Sequence, residues 1–71
     1  MEKQPVSKWQ TAENGKIRHR RVTYSDVDGS ILEDYEFEVF KRTWFLGSKK
    51  WQHAITTNAF GFGYGFCVKL I

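Results

Sequence analysis

Basic side chains interleaved with aromatic rings carry most of the chemistry available to this chain. Arg18, Arg20 and Arg21 cluster around His19, and Lys41, Arg42, Lys49 and Lys50 flank Trp44 and Trp51. Cations at such spacing track phosphates, while flat rings stack on bases for about 1–3 kcal/mol each. The residues expected to hold a single-stranded RNA or DNA are Arg18, Arg20, Lys41, Arg42, Trp44, Lys49, Lys50, Trp51 and Tyr64. Ion pairing competes with that role for the arginines, because six of the eight acidic residues follow within the next strand or its turn. No acid lies near Lys49 and Lys50 in the sequence.

Catalysis finds less support. His19, His53 and Cys67 lack the short spacings of a metal site. Glu36 and Glu38 are explained as partners for basic groups, and Asp26 and Asp28 flank a turn where aspartate serves the backbone. Neither a phosphate loop nor a nucleophile elbow is present. The expectation is a binding module without enzymatic activity, cofactor or metal. Its alternative is a protein-interaction module, an inhibitor or adaptor, that docks on an acidic surface of a larger protein. Homo-oligomerisation is compatible with either.

From Phe60 to Ile71 the chain reads Phe-Gly-Phe-Gly-Tyr-Gly-Phe-Cys-Val-Lys-Leu-Ile. In an extended strand alternate side chains share a face, so Phe60, Phe62, Tyr64, Phe66, Val68 and Leu70 form one row. Such a row is the spine of a core or a stacking platform. The core role is expected for all but Tyr64, whose hydroxyl suits it to reach a ligand. Gly63-Tyr64-Gly65-Phe66 resembles part of the ribonucleoprotein signature of RNA-recognition and cold-shock domains, in which rings on a sheet stack on bases. A phenylalanine stands where that signature has a basic residue. The likeness spans fewer than ten residues, so it implies stacking chemistry and not family membership.

Charge along the chain is one-sided. The net charge is +3, but all eight acids lie at or before Glu38, and the five basic residues from Val39 onward face no acid in that half. That asymmetry favours an anionic partner. Seventy-one residues make one small domain, and rings at 17% of the composition fill so small an interior efficiently. With Cys67 the only cysteine, no intrachain disulfide forms. No leader, long apolar run or lipidation signal is read, so a soluble, cytoplasmic, membrane-free protein is expected.

Turn chemistry supplies the organisation. Residues 1–4 are expected to fray, and residues 5–71 to form a single β domain. Asn14-Gly15 and Asp28-Gly29 are strong two-residue hairpin signals, with Gly47-Ser48 a third and Asn58 a further break. Counting outward from Asp28-Gly29 sets Val22 opposite Tyr35, Arg21 opposite Glu36 and His19 opposite Glu38. From Asn14-Gly15, Ala12 meets Ile17 and Trp9 meets Arg20. From Gly47-Ser48, Trp44 meets Trp51, Phe40 meets Ile55, and His53 falls beside Arg42. Apolar parity shifts after Val39, which calls for a bulge between Val39 and Arg42. The predicted fold is all-β, a five-stranded antiparallel meander curled into a barrel-like or strongly coiled sheet. A short helix at 48–58, capped by Ser48, is the rival for that segment.

Overall fold

The computed structural model describes residues 2–43 and 47–71. Three strands form an antiparallel meander: β3 (Ile17–Ser25), β4 (Ile31–Arg42) and β5 (Lys49–Thr57). Two short strands, β1 (Gln4–Pro5) and β2 (Gln10–Thr11), pair in succession along the outer edge of β3. Between them, the Val6 N–H donates to the Arg21 carbonyl at 2.9 Å, and the Arg21 N–H donates to Ser7 Oγ at 2.9 Å. The edge thus stays bonded where the strand breaks. The chain ends in helix α1 (Phe60–Leu70), and among the described residues no helix is long and apolar enough to cross a membrane.

Five antiparallel strands are present, but the sheet is open rather than closed into a barrel. The segment 48–58 is strand, not helix, and β-branched Ile55, Thr56 and Thr57 suit it to a pleated surface. The larger correction concerns Phe60 to Leu70, which forms a helix instead of a strand. Ile17, Phe37 and Val39 lie on one face of the sheet, and a further strand at its edge would leave them in water. As a helix, the segment lays Gly63 and Cys67, one turn apart, directly over them, and Ile17, Phe37, Val39 and Cys67 become the buried core. Tyr35, Ala54, Ile55 and Tyr64 pack around that core.

Gly63 is the residue that allows this close approach. A β-carbon there would stand 2.7 Å from Phe37 Cδ1 and closer still to Cε1, whereas the same atom at Gly61 or Gly65 would meet open space. The three glycines are therefore expected to respond oppositely to alanine. Gly61→Ala and Gly65→Ala should each stabilise the domain by about 0.5–1 kcal/mol through helix propensity. Gly63→Ala should destabilise it by about 1–3 kcal/mol through overpacking. Urea denaturation of the three variants measures this, and equal responses would refute the packing assignment.

Turn geometry explains where the counted register holds and where it slips. At Asn14-Gly15 it holds: Gln10 pairs with His19, Thr11 with Arg18, and the Ala12 N–H donates to the Ile17 carbonyl at 2.8 Å. At Asp28-Gly29 it slips by one residue. Neither reversal is a two-residue type I′ turn, which needs positive φ at both central positions: only the glycines have it, Gly15 at 70° and Gly29 at 88°. The four residues between Ala12 and Ile17 keep the counted centre where an odd number would not. Asp26 instead pairs with Ser30 across three loop residues, the Gly29 N–H donating to the Asp26 carbonyl at 3.0 Å. Val22 then faces Asp34, Arg21 faces Tyr35, Arg20 faces Glu36, His19 faces Phe37 and Arg18 faces Glu38.

Between β4 and β5 the irregularity falls at Phe37/Glu38, before the expected Val39 to Arg42, with Ala54 as the extra residue on β5. Phe37 pairs with Ile55, Glu38 with His53 and Phe40 with Trp51. Next to the turn, Arg42 pairs with Lys49 and the Thr43 N–H donates to the Ser48 carbonyl at 2.8 Å. The ladder is thus centred two residues before Gly47-Ser48, and Phe40 does not face Ile55, nor His53 Arg42. The expected Trp44–Trp51 pairing lies outside the described residues.

Candidate nucleic-acid interface

On the helix-free face of the sheet, Arg18 and Arg20 are built into a lattice. The Arg18 guanidinium lies 4.4 Å from the centre of the Trp9 ring and 4.3 Å from that of Trp51. Its Nε donates to Glu38 Oε1 at 2.8 Å, and a second guanidinium nitrogen shares that oxygen. The Arg20 guanidinium also lies 4.4 Å from the centre of the Trp9 ring, and its Nε donates to Glu36 Oε1 at 2.7 Å. Trp51 also leans on Phe40, ring centres 5.2 Å apart. Both arginines are about three-quarters sheltered, at 24% and 29% side-chain exposure. Charge-assisted bonds in partial shelter combined with cation–π contact hold the sheet together. The lattice thus already occupies Arg18, Arg20 and much of Trp51.

At the β4–β5 end of the sheet the situation is reversed. Lys41 stands directly opposite Lys50, and Arg42 directly opposite Lys49. Arg42, Lys49 and Lys50 are exposed and Lys41 is half-buried. Among the described residues, none of the four has a carboxylate within ion-pair distance. Like charges facing across a ladder are destabilising. Lys16 joins them, a residue the sequence reasoning missed: its carbonyl accepts the Phe40 N–H at 2.8 Å, which brings the start of β3 to the same end. Only the β3–β4 ladder reveals that proximity. Glu13, in the turn before Lys16, is the acid at this end.

The opposite end of β3 and β4 is acidic. Asp26 and Asp28 sit in the turn, followed by Glu33 and Asp34, with Arg21 reaching Glu33 and Lys3 reaching Asp34, each at 3.7 Å. The molecule extends 44 Å along its longest axis, so the meander is charge-polarised between its two turn regions.

The remaining expected site residues fall elsewhere. Tyr64 packs half-buried against the core, its ring stacked on Phe60 at 6.2 Å, and lines a recess of about 200 Å³ with Thr11, Ala12, Ile17, His19 and Phe60. Trp44 lies outside the described residues. Of the row expected in the core none is buried: Phe62 is 63% exposed and lies with Phe66 beside Gly61, Gly65 and Lys69, and Phe60, Val68 and Leu70 are exposed as well. The spacing of Phe62 and Phe66, four apart, is the helical signal that identifies this outer face.

Cys67 is buried and His19 half-buried on the helix-covered face. The His19 ring meets Phe60 edge-on at 4.7 Å and lies near Phe37 and Tyr35, and this burial lowers its pKa below the ordinary 6.5. The Cys67 thiol, sealed under the helix, has its pKa raised by burial. No group of three potential metal-ligating residues assembles among the described residues. A histidine that resists protonation in the folded state leaves the unfolded state binding more protons. Stability from this group is complete above pH 6.5 and falls as the pH drops through 6.5 towards the lowered folded value. A urea midpoint lower at pH 5.5 than at 7.5, with the difference reduced in His19→Gln, is the expected result.

Comparison with protein-family models, with curated proteins and with solved structures found no match.

Proposed function

We propose that this protein is a small nucleic-acid-binding module that grips the phosphate backbone with Lys41, Arg42, Lys49 and Lys50. The observation that carries this reading is the pair of like-charge rungs at the β4–β5 end. A fold that needs only solubility gains nothing from opposing its cations directly. A polyanion laid against them converts that repulsion into attraction and releases counterions. The acidic far end orients the molecule by turning away from phosphates. Because Arg18 and Trp51 already stack on each other, phosphate contact outweighs base stacking in this reading. The function is binding rather than catalysis, and the reduced Cys67 suits a cytoplasmic setting.

Fluorescence anisotropy with labelled oligonucleotides tests the reading. Micromolar or tighter binding at 50 mM salt, weakening steeply as salt rises, is expected. Absence of binding to any polynucleotide at low salt would end it. A second reading, docking on another protein, is favoured by the 63% exposure of Phe62 on the outer helix face. It predicts that Phe62→Ser abolishes partner capture and leaves anisotropy unchanged.

A further inference from the structure

Resting on that reading, we infer that the nucleic acid is a B-form DNA duplex, and that the β4–β5 end enters its major groove with one cation pair on each phosphate wall. Residues paired across a ladder share a face, and successive residues alternate. Lys41 and Lys50 therefore project from the helix-covered face of the hairpin, Arg42 and Lys49 from the opposite face. A single strand passes over one surface, and cations pointing in opposed directions cannot both follow it. Two walls of phosphate facing each other across a gap can be contacted from both.

The dimensions agree. Side chains stand roughly perpendicular to a sheet, and a lysine or arginine stem reaches about 6 Å, so the charges of the two faces lie about 12 Å apart. The B-DNA major groove is about 12 Å wide and admits a two-stranded ribbon. The major groove of A-form RNA is deep and narrow, and closed to such a ribbon. Charge complementarity extends beyond the four cations. Lys16 lies beside them, while Asp26, Asp28, Glu33 and Asp34 occupy the far turn region of a molecule 44 Å long. The duplex is thereby met end-on. Of the rings expected to favour an unpaired strand, the two among the described residues are engaged within the protein, Trp51 by Arg18 and Phe40, and Tyr64 by the core.

Salt titrations of a duplex, of one of its strands and of the matching RNA duplex distinguish the possibilities. With four phosphate contacts, DNA-duplex affinity falls about 150-fold between 50 and 200 mM salt, whereas a single strand held from one face loses about 7-fold. Lys41→Ala/Lys50→Ala and Arg42→Ala/Lys49→Ala should each reduce the duplex salt effect to about 12-fold. Both variants remove a repulsive rung, so folding survives, and thermal unfolding checks it. If one double variant leaves the duplex salt dependence untouched, the cations act from one face and the inference falls. It falls equally if the single strand or the RNA duplex binds as tightly as DNA, although nucleic-acid binding itself then stands. Binding to none of the three overturns both.

Discussion

Phe37→Ala is expected to abolish folding. Phe37 is fully buried at the centre of β4, beneath Gly63, with the Phe60 ring 5.4 Å away and the His19 ring 5.7 Å away. Truncating a buried phenylalanine costs about 3–5 kcal/mol, the lost transfer energy plus the cavity. A core of this size supplies about 3–5 kcal/mol in total. Collapse cannot refill the space cheaply, because the helix backbone at Gly63 is already in contact with the ring it would lose. Loss of amide dispersion in a proton–nitrogen spectrum at 25 °C is the expected observation. A cooperative native state within about 1 kcal/mol of the parent would show that the ring is not the keystone of the sheet–helix interface.

Lys49→Glu/Lys50→Glu has the second large effect, and it runs in two directions. Each reversal converts a repulsive rung, Arg42 with position 49 and Lys41 with position 50, into an attractive one. Cross-strand pairs contribute about 0.2–1 kcal/mol, so the domain should gain about 1 kcal/mol, or roughly 4–8 °C in melting temperature. Duplex affinity at 50 mM salt should fall more than about 100-fold, since two contacts are lost and two phosphate repulsions are added. Stability rising while binding collapses is the signature of residues kept for a partner. If stability and affinity fall together, the cations serve the fold, and the proposed function loses its basis.

The hairpin positions were legible because their chemistry is local. Asn14-Gly15 and Asp28-Gly29 mark reversals and Gly15, Gly29 and Gly47 hold positive φ, but the β4–β5 hairpin is centred two residues before the expected Gly47-Ser48. Loop length was not legible: four residues lie between Ala12 and Ile17 and keep the counted centre, whereas three lie between Asp26 and Ser30, and that odd count moved every β3–β4 pair by one. Arg18 and Arg20, rather than Arg21 and His19, consequently meet the glutamates. The helix was hidden for a different reason. Phe-Gly-Phe-Gly-Tyr-Gly-Phe alternates with the period of a strand, and three glycines weaken any helix. What selects the helix is non-local: Phe37, Ile17 and Val39 need a cover, and Gly63 and Cys67, four residues apart, supply its flat side. The acid-free half of the sequence announced the cationic end, but the two rungs depend on the register next to the β4–β5 turn, which counting outward from Gly47-Ser48 misplaced.

Chemical-shift mapping of the nitrogen-labelled protein with a short DNA duplex shows whether the cationic β4–β5 end is the binding surface. Perturbations concentrated at Lys41, Arg42, Lys49 and Lys50 and extending to Lys16 are expected, with the Asp26–Ser30 turn unmoved. Perturbations centred on Phe62 and Phe66, or none at all at 50 mM salt, would contradict that role for the cationic end.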